Sequence, residues 1–314
     1  MLDGIPVNDM ENGWVYWSNW FGLDAVTRSI QVQRGLGASK LALPSVGGTI
    51  NILTKGIENK RSFSIGQSVD NNGKFTTNLG YNSGMLKGGW SFTLAGAYKA
   101  GYGWVDKTSV KAAFFFAKID KMWGNHITSI TGFGAPQTHS QHSYKRAIAA
   151  YDTSYAKEHG VSSEDFPVIL NRGIPYNQQW GYLYRKADEW NSDTTARIQN
   201  PNVAGNVVNE KVNTYFKPQF SIRDSWNVNS RFVLSNTIYL SIGNGGGQGT
   251  RKSLKNTNLI TAADVINNPS EFTSAQIGQI NWQSIYNQNS GPTNTGFGTS
   301  YPIDSTYSDK LYYA

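Results

Sequence analysis

The densest run of residues able to do chemistry is Asn12-Gly13-Trp14-Val15-Tyr16-Trp17-Ser18-Asn19-Trp20-Phe21, with five aromatic side chains in eight positions. Trp14, Tyr16, Trp17 and Trp20 each carry a flat apolar ring with an N–H or O–H at its edge. Such rings stack on flat ligands and on sugars while their polar tips hydrogen-bond. Set among Asn and Ser, they are unlike an alternating core strand. Two readings stay open for them: packing within the fold, and contact with a ligand. Other groupings are weaker. His139-x-x-His142 is a metal-ligand pair without a third group, and His126 and His159 stand apart from it. Residues 243–249 are glycine-rich but lack the Gly-Lys-Ser/Thr of a phosphate-binding loop. No Ser/His/Asp set and no carboxylate pair at useful spacing stands out, so no catalytic residue, metal or cofactor is expected. Cysteine is absent, which excludes disulfides, thiolate-bound zinc and thiol catalysis. The chemistry points to binding.

The elements that must position these residues are strands. The 314 residues are 39% hydrophobic, 13% aromatic and 16% charged. So aromatic a chain is not disordered, and 33 glycines suit many turns. The net charge of +7 is spread along the chain without a basic tract, so nucleic acid is not expected as a partner. Mean hydropathy is −0.45, which is compatible with a membrane β-barrel, because only alternate residues of each strand face lipid. No run reaches the ~18 consecutive apolar residues of a membrane-spanning helix. Met1-Leu2-Asp3-Gly4-Ile5-Pro6 has neither the charged start nor the apolar run of a secretory signal. The chain therefore reads either as cytoplasmic or as lacking its true N-terminus, and the motifs below favour the second.

From residue 61 onward the sequence alternates. Phe63 and Ile65 in 61–70, Phe75, Thr77, Leu79 and Tyr81 in 74–82, and Trp90, Phe92, Leu94 and Tyr98 in 90–99 share a face within each strand. Residues 111–121 and 125–134 read as strands less cleanly, with 113–117 apolar on both faces. In 211–223, Val212, Thr214, Phe216, Phe220 and Ile222 oppose Lys211, Asn213, Tyr215, Lys217, Gln219, Ser221 and Arg223. In 231–242, Phe232, Leu234, Ile238, Leu240 and Ile242 oppose Arg231, Ser235, Thr237 and Ser241. The expected connections are 70–73, 82–89, 100–110, 120–124, about 135–210, 224–229 and about 243–308. Apart from the first, the odd ones are the longer. Short turns on one side and long loops on the other are the pattern of an outer-membrane barrel. Helical spacing of Tyr144, Ile148, Tyr151 and Tyr155, and a capping box at Thr261-Ala262-Ala263-Asp264, predict short helices inside the long loops. Seven strands, with 310–314 starting an eighth, leave open edges that lipid does not tolerate.

Residues 30–55, IQVQRGLGASKLALPSVGGTINILTK, carry a strand ending in Arg34-Gly35, a small-residue segment, Gly47-Gly48 and a strand containing Asn51. With Leu2-Asp3-Gly4-Ile5-Pro6-Val7-Asn8-Asp9 upstream, this order resembles the plug domain of TonB-dependent outer-membrane receptors, of a Bacteroidetes-like kind. The resemblance makes Asp3, Gly4, Arg34, Gly35, Gly47, Gly48 and Asn51 the plug signature. Gly47-Gly48 suits a turn with positive φ or a close backbone approach. Arg34, a charge expected between plug and barrel, needs a carboxylate partner, which the resemblance assigns to the barrel wall, the part beyond this chain included. It also brings the 12–21 aromatics near the plug apex, facing the external cavity.

The architecture implied is an all-β membrane protein. Residues 1–57 would be the C-terminal part of an α/β plug, and 58–314 the N-terminal, incomplete part of an antiparallel transmembrane β-barrel. That part is about seven strands of a 22-stranded wall. The implied activity is import of a scarce nutrient (ferric siderophore, haem, vitamin, metal chelate or oligosaccharide) across the outer membrane. The implied partners are that small molecule, outer-membrane lipid, and TonB through a segment this chain lacks. The sequence departs from the family pattern at Leu36, where Pro is usual, and at Lys40-Leu41-Ala42. It also lacks the motif variant of the glycan importers. A passive porin or adhesin barrel is the alternative, and a soluble glycan-binding β-protein is a further rival. The 30–55 segment argues against the first and the sorted loops against the second.

Overall fold

The computed structural model describes residues 1–9, 11–35, 47–58, 60–141, 152–160, 163, 175–177, 179–183, 206–248, 259–268, 272, 278–282, 293–294 and 301–302. The chain divides into two compact units. Met1–Gly101, Val110–Thr138 and Thr214–Gly246 form the first, and Tyr102–Ser109, His139–Asn213 and Gly247–Ala314 the second.

The first unit begins with a tight Leu2–Ile5 turn, a 3-10 turn at Trp17–Trp20 and a one-turn helix α1 (Leu23–Val26). A hairpin follows, β1 (Thr27–Arg34) against β2 (Gly48–Thr54), antiparallel from Thr27↔Thr54 to Arg34↔Gly48. Its β-branched residues favour the extended backbone. Then comes a meander: β3 (Ser62–Val69), β4 (Phe75–Asn82), β5 (Trp90–Tyr102), β6 (Ser109–Trp123) and β7 (His126–Gly134), each beside the next. The chain leaves through β8 (Gln137–Ser140), α2 (Thr153–Glu158), β9 (Trp180–Leu183), β10 (Asn206–Asn209) and β11 (Val212–Phe216). It returns as β12 (Gln219–Asn229), antiparallel to β7, and β13 (Phe232–Ser241), antiparallel to β12. The short strand β14 (Asn244–Gln248) pairs with β11. Among the described residues, β3 and β13 each keep one unpaired edge in the seven-strand order.

Antiparallel register places directly opposed residues on one face. On one face, Ile119, Ile130, Ile222 and Ile238 form a row across β6, β7, β12 and β13. Phe63, Tyr81 and Leu94 form another across β3, β4 and β5. These rings and branched chains are exposed, Ile238 to 75% and Phe63 to 69%. The opposite, inner face is polar except at its centre. There Phe114, Phe116 and Phe133 are buried under Leu2, Trp20, Leu23 and Val26, with Ala95, Ala97 and Ile52 beside them. The double-sided apolarity of 113–117 follows from this: even positions receive the N-terminal region and odd positions are outward.

The connections sort by length less cleanly than expected, because 83–89 at one end is longer than 70–74 and 103–108 at the other. At one end are 83–89 and the two-residue turns 124–125 and 230–231. By strand parity the other end sends out 70–74, 103–108, 135–218 and the chain after β13. The expected strand 211–223 is two strands, β11 and β12, parted at Lys217-Pro218. Proline has no N–H for the ladder, and its carbonyl instead accepts from Ile242 N–H at 3.2 Å. Residues 224–229, expected as a turn, complete β12.

In the second unit, Tyr176, Trp180, Ile260, Ile280 and Trp282 are buried, with Gly181 against the Trp282 ring. The capping box is present on α3 (Ala262–Asn267): Thr261 Oγ1 accepts from Asp264 N–H, and the Asp264 carboxylate accepts from Thr261 N–H. The expected 144–159 helix is seen as α2, capped by Asp152. Its earlier residues Tyr144, Ile148 and Tyr151 lie outside the described residues, as do 36–46, His142 and 310–314.

Candidate functional site

The signature residues lie along β2, with Arg34, Gly35, Gly47 and Gly48 at its start, Asn51 at its middle and Asp3 and Gly4 beside its second half. Asp3 has φ +48° and Gly4 φ +81°, which turns the chain so that Leu2 runs beside Ile52. The Asp3 carboxylate accepts from Thr54 N–H at 2.8 Å and from Thr54 Oγ1 at 2.6 Å. Asn51, buried, accepts from Gly4 N–H at 3.0 Å and donates to Gln31 Oε1 at 3.2 Å. These side chains therefore clip the first turn to the hairpin. Gly48 (φ +128°) lies so close to the Gln33 carbonyl that a Cβ has no room. Gly35 (φ +70°) starts the turn beyond β1 and bonds Gly47 O. Arg34 is exposed and forms no salt bridge with a described residue. It ends β1, seven residues beyond Thr27, so strand rise carries it roughly 23 Å from the helix that packs on the sheet.

The N-terminal region is stitched to the inner face of the sheet by groups the sequence reading did not single out. Gln137 Nε2 donates to Asn19 Oδ1 at 3.1 Å, and Asn82 Nδ2 to Gly56 O at 2.8 Å. Lys118 Nζ donates to Thr54 Oγ1 at 3.2 Å, and the Lys99 ammonium lies 4.2 Å from the Phe21 ring centroid. Asp120 is 2% exposed and accepts from Ser129 Oγ at 2.5 Å. Gly22 (φ +85°) sits against the Phe114 ring, with no space for a Cβ. A polar cavity of about 200 Å³ lies here, lined by Asp3, Lys118, Ser129, Thr131 and Arg223 among others. Its signal was in the sequence: Lys118, Asp120 and Thr131 occupy positions alternate to Ile119 and Ile130.

The four aromatics separate. Trp14 is 70% and Trp17 59% exposed, and Tyr16 is exposed with its hydroxyl accepting from Asn12 Nδ2 at 2.7 Å. Trp20 is 7% exposed and packs on Phe133 with ring centroids 5.9 Å apart. Trp20 is thus a core residue, because the 3-10 turn aims it at the sheet, while Trp14, Tyr16 and Trp17 remain available to a ligand. Trp17 also lines a cavity of about 320 Å³ with Leu2, Val7, Val15, Trp20 and Ile50. The three described histidines do not converge. His126 lies between Trp123 and Trp226, His139 is near Asn213, and His159 stacks on Tyr155. Among the described residues no group of three metal ligands occurs.

No known family profile matches the chain, and no curated protein matches it. Solved structures similar in chain course include siderophore receptors and a ferric citrate transporter. The ferric-catecholate import receptor Fiu from E. coli K12, open form, is 11% identical with a TM-score of 0.49, over 70% of this chain and 29% of that one. The siderophore receptor PiuA from Acinetobacter baumannii is 10% identical with a TM-score of 0.48, over 71% and 27%. The unliganded ferric citrate transporter FecA is 15% identical with a TM-score of 0.47, over 78% and 31%. This chain therefore spans about three-tenths of the length of the import receptors it is similar to.

Proposed function

We propose that this chain is part of a TonB-dependent outer-membrane receptor that imports a scarce small-molecule nutrient. The carrying observation is the unlike chemistry of the two sheet faces. The outward face exposes aliphatic rows, with Trp90, Trp123 and Trp226 toward the short-turn end and Phe75, Tyr98 and Phe115 toward the other. An apolar band between aromatic girdles is what a lipid-embedded barrel wall requires. The centre of the inner face is covered by Leu2, Trp20, Leu23 and Val26, which favours a plugged transporter over a passive porin or adhesin. On this reading Lys118, Asp120 and Arg223 line a hydrated seam between plug and wall, and Trp14, Tyr16 and Trp17 contact the nutrient at the plug. Nothing in the site makes or breaks bonds. Coupling to TonB rests with a segment outside this chain.

The full-length protein should fractionate with the outer membrane and support uptake only in cells with a working TonB. Uptake that persists without TonB leaves the passive barrel, and recovery in a membrane-free fraction overturns both. Alanine at Trp14, Tyr16 and Trp17 should weaken ligand binding at unchanged surface abundance. Normal binding by all three would make these rings packing alone.

A further inference from the structure

We propose that the outward face of β6, β7 and β12, near the short-turn end, binds the zwitterionic headgroup of a phosphoethanolamine lipid. The inference rests on the barrel reading above and adds a ligand site to it. Register lines up three outward rows. Nearest the turns are Trp123, His126, Trp226 and Leu234; next come Lys121, Thr128, Asp224 and Asn236; then the isoleucine row. A row holding one cation and one anion thus lies between an aromatic row and an aliphatic one. Aromatic girdles sit at the headgroup level of a bilayer, so this charged row lies just on the midplane side of that level, with Lys121 reaching back toward the turns at Gly88 O and Asp224 toward His126.

The row is built, not merely polar. Trp123 Nε1 donates to Thr128 Oγ1 at 2.9 Å, and Thr128 Oγ1 donates to Asp224 Oδ1 at 2.7 Å. His126 Nδ1 meets Asp224 Oδ2 at 2.9 Å. The imidazole is stacked between Trp123 and Trp226, at 4.4 and 5.3 Å between centroids. These contacts hold the Asp224 carboxylate in place at the edge of the apolar band. Lys121 Nζ donates to Gly88 O at 2.6 Å and lies 4.5 Å from the Trp90 ring centroid. It forms no salt bridge with a described residue.

Two strand spacings separate Lys121 from Asp224, roughly 10 Å between backbones, too far for the pair to neutralise each other directly. A headgroup carrying a phosphate and an ammonium matches both: phosphate on Lys121, ammonium on Asp224. An anionic phosphoglycerol headgroup satisfies the lysine but offers the carboxylate no cation. The short turns are periplasmic in this reading, so the lipid is one of the inner leaflet.

The test is native mass spectrometry of the full-length protein in detergent, with phosphatidylethanolamine or phosphatidylglycerol added. Wild type should retain phosphatidylethanolamine with a preference of about fivefold, the ratio one partly exposed ion pair supplies. Lys121→Gln and Asp224→Asn should each bring the ratio near one, whereas Lys87→Gln should leave it unchanged. Equal retention of the two lipids by wild type overturns the proposal, as does a phosphatidylglycerol preference, and neither result depends on a variant folding. An unchanged ratio in both variants also overturns it. A protein that inserts into membranes without the preference removes this site alone, while one that never inserts removes the barrel reading with it.

Discussion

Phe115 and Phe116 are neighbours on β6, yet they live in different environments. Phe116 is buried against Phe133 and the N-terminal region, whereas Phe115 is exposed and tilts against Phe216. The same contrast runs along β7, where Phe133 is buried and Ile130 exposed. Apolarity alone therefore does not say which face of a strand meets protein. What differs is what covers the face: on the inside a Gly22-backed turn carrying Trp20 and Leu23, on the outside, in our proposal, lipid. A strand read as ambiguous because both faces are apolar is one with two apolar partners of different kinds.

Removing the ring on each side should break this comparison most visibly. Phe116→Ala leaves a cavity between packed rings and should cost about 3–5 kcal/mol, read from the denaturant midpoint of the full-length protein in lipid. Phe115→Ala, whose ring faces fluid surroundings, should cost clearly less. Equal losses would mean the two faces meet the same kind of environment. A charge probes the outside. Ile238→Arg should destabilise insertion by about 2–4 kcal/mol if this row lies near the bilayer midplane, while Thr237→Arg on the inner face should do so far less. Reversible folding into vesicles measures both, and indifference to Ile238→Arg would sink the lipid-facing assignment.

A smaller effect is expected where the N-terminal turn is clipped to the hairpin. Asp3→Ala removes the acceptor of two Thr54 donors and should cost about 1.5–3 kcal/mol, as for hydrogen bonds to a charged group. Hydrogen exchange should rise in residues 1–5 and β2 first, and an unchanged pattern would show that the clip is not needed. The smallest effect lies at the 70–74 turn. There the hydrogen bond and ion pair from Lys74, at 2.8 Å, hold the Asp70 carboxyl below its ordinary value of 3.8. A depressed carboxyl contributes stability that is present above its unfolded value and lost as pH falls through the folded one. Asp70→Asn should therefore lower stability slightly at neutrality, and the difference from wild type should shrink and vanish as pH falls below 3.8.

Most of the sheet was legible because strands with one apolar and one polar face have to alternate. Phe63 and Ile65, or Leu234 and Ile238, state their face without help from any neighbour. Strand ends were less legible. Asn227 and Asn229 look like turn residues, but an exposed strand end tolerates polar side chains, so β12 runs through them. Pro218 carried a readable signal for the break before β12. The N-terminal region was legible as a motif but not in its roles. Asp3 and Asn51 act on each other's backbone neighbours, contacts set by a left-handed turn 47 to 51 residues away in sequence. Trp20 could not be told from Trp17 by composition, since the direction of each ring is decided by a single 3-10 turn.

The order of the strands has a consequence in time. β3 to β7 and the β12–β13 hairpin close through short connections, but β12 reaches β7 only after the 135–218 excursion. Closing a loop of that length costs roughly 3 kcal/mol more chain entropy than a two-residue turn, and the contacts that repay it form together. Nucleation of the sheet therefore belongs to two separate local pieces, and the seam from Gln219↔Phe133 to Trp226↔His126 is the step at which they become one.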